Sequence, residues 1–170
     1  MKVVKGCMAA VLISLLAACA SGITHDTPAG NTQFLGTKVS GVDVTLSEEA
    51  KKLSADNLKF NPESLRAMVQ RALEARNVIE PSAAQRMLIE VTDFRVRSNF
   101  SAVMFGFMAG SDSVTGNIHI RTPERSVGKY EVRASYALGG FGGGQDDARM
   151  GWLYEEFAKQ TLNVLTGESK

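Results

Sequence analysis

Val114-Thr115-Gly116-Asn117-Ile118-His119-Ile120-Arg121 and, across Thr122-Pro123-Glu124-Arg125-Ser126, Lys129-Tyr130-Glu131-Val132-Arg133-Ala134-Ser135-Tyr136-Ala137-Leu138 decide the fold. In the first stretch Val114, Gly116, Ile118 and Ile120 alternate with Thr115, Asn117, His119 and Arg121. In the second, Tyr130, Val132, Ala134, Tyr136 and Leu138 alternate with Lys129, Glu131, Arg133 and Ser135. A period of two places alternate side chains on opposite faces of a strand, so each stretch is a strand with one apolar face. The proline and polar residues between them are turn chemistry, and the pair reads as a hairpin.

Upstream, Met87, Ile89 and Val91 keep one parity and Phe94 and Val96 the other, predicting a long strand over about 86–97 with a bulge near Thr92. Val42, Val44 and Leu46 alternate with Asp43 and Thr45 and mark a first strand within 37–46. Asn61-Pro62 supplies a helix cap and a proline at the first helical position. Leu65, Met68, Val69, Ala72 and Leu73 then recur at helical spacing, and the pattern stops near Asn77. Downstream, Met150, Leu153, Tyr154, Phe157, Ala158, Thr161, Val164 and Leu165 define a final core-facing helix ended by Gly167. Trp152 falls off that stripe, at its edge or in solvent.

The order β-α-β-β-β-α predicts a two-layer α+β domain over residues 37–167. It has a mixed or antiparallel sheet of about four strands, two helices on one face, and the other face open to water.

The first twenty residues carry a different message. Lys2 and Lys5 precede an apolar run from Met8 to Ala18, too short to span a bilayer, which is the pattern of an export signal. Leu16-Ala17-Ala18-Cys19 resembles the lipobox of bacterial lipoproteins. That resemblance implies recognition of Leu16, Ala17 and Ala18 by the lipoprotein signal peptidase, and diacylglyceryl and acyl lipid on Cys19. Ala20, rather than Asp, after the cysteine implies sorting to the outer membrane, facing the periplasm. The alternative is an ordinary secretory peptide with a leftover thiol. Removal of residues 1–18 takes Lys2, Lys5 and Cys7, turning the net side-chain charge from +1 to −1 and leaving Cys19 as the one cysteine. The stretch 20–36, rich in Ser, Gly, Thr, Asn and Pro, reads as a solvated tether. Fully extended, it reaches about 50 Å.

Leu88-Ile89-Glu90-Val91-Thr92-Asp93-Phe94, the segment 106–120 and the glycine-rich stretch before the last helix resemble the uncharacterised bacterial lipoproteins grouped as domain of unknown function 4410. More distantly the layout is similar to the TolB amino-terminal domain and to transport-associated auxiliary lipoproteins. The resemblance implies fold and location and carries no activity.

Chemistry is scarce. The near balance of 19 Lys+Arg against 18 Asp+Glu gives no footprint for nucleic acid. Gly139-Gly140-Phe141-Gly142-Gly143-Gly144 lies between a strand and a helix but has no phosphate-loop register, and Asp146 and Asp147 follow it. His25 and His119 have no nearby cysteine or histidine to form a zinc set, so no metal and no cofactor beyond the Cys19 lipid is expected. No G-x-S-x-G occurs, and Ser111, Asp112 and Ser113 read as a strand-entry loop.

Two features point to binding. Phe100, Val103, Met104, Phe105, Phe107 and Met108 form an apolar loop, which either completes the core or contacts a partner or membrane. Arg95, Arg97, His119, Arg121, Lys129 and Arg133 form a mildly basic stripe on the outer sheet face, broken by Asp93 and Glu131. The expectation is a non-enzymatic, lipid-anchored envelope protein. It would use Phe100, Met104, Phe105 and Phe107 or the arginines of the sheet face to bind another envelope component. The alternatives are an envelope hydrolase with His119 as base and a passive structural lipoprotein.

Overall fold

The computed structural model describes residues 22–25, 36–57, 59–98, 110–136 and 146–166. Within them the chain forms β1 (Gly22–His25), β2 (Val42–Leu46), α1 (Glu48–Asp56), α2 (Pro62–Ala75), β3 (Arg86–Arg95), β4 (Asp112–Arg121), β5 (Ser126–Tyr136) and α3 (Asp146–Thr166). The strands make one mixed sheet in the order β1-β5-β4-β3-β2. β3, β4 and β5 are an antiparallel meander and β1 is antiparallel to β5. β2 runs parallel to β3, as a crossover through α1 and α2 requires.

The α+β, two-layer architecture is the expected one, and the bulge falls where the parity change put it, between Val91 and Asp93. Asn61 caps α2 by accepting a hydrogen bond from the Ser64 N–H at 3.0 Å. The helix closes at Asn77, whose φ of 55° lies in the left-handed region. Met87, Ile89 and Val91, Val114, Ile118 and Ile120, and Val132 and Ala134 bury one sheet face. Leu65, Val69 and Leu73 of α2 and Leu153, Phe157 and Leu165 of α3 join them in one core. Gly116 permits this packing, because a Cβ there would meet the Glu90 carbonyl oxygen at 3.2 Å and Phe157 Cζ at 3.3 Å.

Two elements differ from the sequence reading. Helix α1 went unread because it has no apolar stripe; Ala50 is its one buried residue, and Ser47 caps it through the Ala50 N–H. The predicted tether contains β1: Gly22 to His25 pair with Arg133 to Tyr130, so the sheet has five strands rather than about four. The outer edge of β5 presents backbone donors and acceptors that a fifth strand satisfies. Four residues of Gly-Ile-Thr-His are too short to declare a period.

Candidate functional site

The open face of the sheet carries the polar parity of every strand. Across β3, β4 and β5 the register sets Leu88 beside His119 and Lys129, Glu90 beside Asn117 and Glu131, and Arg86 beside Arg121. Arg95, Arg121 and Arg133 are exposed as expected. The face is nonetheless a mosaic, because Asp43, Glu90, Asp93 and Glu131 interleave with Arg86, Arg95, Arg121, Lys129 and Arg133. Asp43 takes both Nε and Nη2 of Arg86, the latter at 2.8 Å. That pairing holds the Asp43 carboxyl below its usual range, mainly through the hydrogen bond. Beside this pair Ser40, Ala84, Leu88, Arg121 and Pro123 complete an open groove of about 460 Å³ at the hairpin end of the sheet.

His119 titrates below the ordinary histidine range because partial burial penalises its charged form, with Arg121 and Lys129 adding to the effect and Glu90 opposing it. Leu88 and Lys129 flank it, and among the described residues no carboxylate or hydroxyl is hydrogen-bonded to it. No group of three or more His, Cys, Asp or Glu that could hold a metal occurs among the described residues.

Arg97 is a correction. Instead of joining the outer stripe it is 4% exposed and turned inward on Asp112, which is 0% exposed. Its backbone N–H donates to Asp112 Oδ1 at 2.7 Å and its Nη2 to Oδ2 at 3.1 Å, while Nη1 donates to the Gly110 carbonyl at 2.8 Å. Arg149, 1% exposed, donates from Nη1 to Asp112 Oδ2 at 3.2 Å and from Nη2 to the Arg97 carbonyl at 3.1 Å. Asp112 therefore holds two guanidiniums, from the chain leaving β3 and from the first turns of α3. With its carboxylate engaged in this way, the Ser111-Asp112-Ser113 segment serves as a structural joint.

The sequence held a signal for this cluster. Asp112 shares the apolar parity of Val114, Gly116, Ile118 and Ile120, and Arg149 falls at helical spacing with Leu153 and Phe157. Opposite charges on two apolar faces that pack together must meet.

Cys19, Leu16, Ala17 and Ala18 lie outside the described residues, as do Phe100, Met104, Phe105 and Phe107 and the glycines 139–144. The segment holding the apolar residues leaves the described fold at Ser98 and returns at Gly110, and the glycine run is flanked by Tyr136 and Asp146. Both therefore attach at the end of the sheet that holds Asp112. Tyr136 and Trp152 stand at that end with ring centroids 5.1 Å apart. Burial raises the Tyr136 phenol above its ordinary range, and its hydroxyl is enclosed beside the arginine pair.

The family model described as Domain of unknown function (DUF4410) matches residues 22–140, opening on the first residue of β1. The chain belongs to this DUF4410 family. No curated protein matches it. Among solved structures, a single-substitution variant of the PelC dodecamer from Paraburkholderia phytofirmans is similar at 13% identity and a TM-score of 0.49, over 88% of this chain and 100% of that one. The PelC dodecamer from the same organism in a second crystal form gives 11% identity and 0.47, over 83% and 97%. A structure titled only as an uncharacterized protein gives 12% and 0.49, over 80% and 94%.

Proposed function

We propose that this DUF4410 protein is a lipid-anchored component of the bacterial cell envelope, held at the periplasmic face of the outer membrane. It acts there without chemistry, as a binding or accessory module for another envelope component. The observation that carries the anchor is Leu16-Ala17-Ala18-Cys19 directly after a basic start and a short apolar run. Two or three acyl chains at about 0.8 kcal/mol per buried methylene make dissociation slow, where one chain is marginal. Ala20 supports the outer membrane as destination.

A binding role is supported by the open face, where side chains of both signs stand side by side on the β3-β4-β5 meander. His119 between Leu88 and Lys129 lends the hydrolase reading no support.

Metabolic labelling with an alkynyl fatty acid, followed by fractionation, tests the anchor. Label should sit on the wild-type chain in the membrane fraction, and Cys19→Ser should lose the label and leave the membrane; a labelled Cys19→Ser protein would overturn the assignment. A photoreactive residue at Arg133, and separately at Phe105, in intact cells tests the binding role. A discrete heterologous product is expected, a homo-adduct would redirect the reading to self-assembly, and no product at either site would favour the passive lipoprotein.

A further inference from the structure

β1 changes the geometry of the anchor. Its register sets Gly22 opposite Arg133 and His25 opposite Tyr130, so the strand, read from His25 back to Gly22, points to the end of β5 that finishes at Tyr136. Cys19 is three residues before Gly22. Three residues span at most about 11 Å, against the roughly 50 Å of a tether running to residue 36.

The same end of the domain bears an exposed aromatic. Trp152 is 42% exposed, off the buried stripe of α3, and packs against Tyr136, the last residue of β5. It is the one tryptophan in the chain. Tryptophan is enriched at the membrane–water interface because an apolar body with one N–H donor suits the headgroup level. Helix α3, which carries Trp152, also touches β1.

We propose that this end is a membrane-facing surface: the short link from Cys19 to β1 holds the exposed Trp152, backed by the Tyr136 ring, against the lipid headgroups. The hairpin turn at Thr122–Arg125 and the groove at Arg86 and Arg121 then point away from the bilayer, about 35 Å along β5. The bilayer is the occupant because β1, read back toward Cys19, points to the end of β5 that bears this patch, and the patch supplies the second contact that steadies a lipid-anchored protein. The proposal rests on the acylation of Cys19 proposed above, and the experiment separates the two.

The full-length acylated protein is reconstituted into phosphatidylethanolamine and phosphatidylglycerol vesicles, with and without phosphatidylcholine brominated near the headgroup, and Trp152 fluorescence is read directly. The N-terminal peptide is weighed in the same preparation. Expected are an acyl mass on Cys19, flotation with vesicles, a blue shift, and about a twofold loss of emission with brominated lipid. Acylated, floating protein whose emission ignores the bromines would overturn the orientation while leaving the anchor standing. A chain without acyl mass that does not float would overturn both. A flexible Gly/Ser segment inserted between Ser21 and Gly22 should keep flotation and melting temperature but abolish most of the quenching; undiminished quenching would show that the short link does not set the orientation.

Discussion

Arg149 in α3 and Asp112 at the start of β4 meet at 3.2 Å with both side chains sealed from solvent, and Arg97 shares the same carboxylate. Two cations on one anion are retained in a dry joint where the last helix crosses the sheet. Breaking such a buried cluster costs more than the cluster contributes over a hydrophobic substitute, because charge is left facing apolar neighbours.

Asp112→Asn should therefore destabilise the domain by about 3–5 kcal/mol, with Arg149→Met costing less than Asp112→Asn because it removes a charge instead of stranding two. Urea midpoints measured at one pH decide this; a loss below about 1 kcal/mol for Asp112→Asn would show that the cluster is hydrated.

Gly116→Ala is expected to cost about 1–3 kcal/mol through overpacking. The added methyl would sit 3.2 Å from the Glu90 carbonyl, which is fixed in β3, and 3.3 Å from Phe157, which is fully buried. Pairing it with Phe157→Leu should recover part of the loss in a thermal melt.

Tyr154 joins the two long helices. Its hydroxyl accepts the Asn61 N–H at 2.8 Å and its ring stands edge-on to Phe60 at 5.8 Å. Tyr154→Phe keeps the packing and deletes the acceptor at the cap of α2, so a loss of about 0.5–1.5 kcal/mol is expected. Amide exchange at Asn61 should accelerate more than exchange in β4.

His119 should titrate below 6.5, followed by its ring-proton chemical shift. A folded-state pKa below the unfolded one means the unfolded chain binds more protons, so the stability from neutral His119 is complete above 6.5 and is lost as pH falls through the lower folded value. Arg121→Gln removes one of the two cations that oppose protonation and should move the midpoint upward, toward 6.5.

Much of the architecture was legible because each strand of the meander advertises one wet and one dry face. Val91 and Phe94 on opposite parities were enough to place the bulge, since a period of two tolerates no other way to keep both inside. The candidate site was less legible. Arg95, Arg121 and Arg133 stand where alternation puts them, but Arg97 follows the end of β3, where parity no longer predicts the facing of a side chain. Helix α1 buries one alanine and so left no stripe to read.

The sequence by itself determined the lipobox resemblance, the hairpin, the two amphipathic helices and the α+β class, because each is written in local order or in a period of two or about 3.6 residues. Tertiary structure alone decided that Gly22 to His25 complete the sheet at the edge of β5, that Arg97 and Arg149 converge on Asp112, and that Trp152 shares an end with the strand leading from Cys19. Those depend on pairings between residues far apart in the chain, where the need to satisfy an edge or neutralise a buried charge selects the partner.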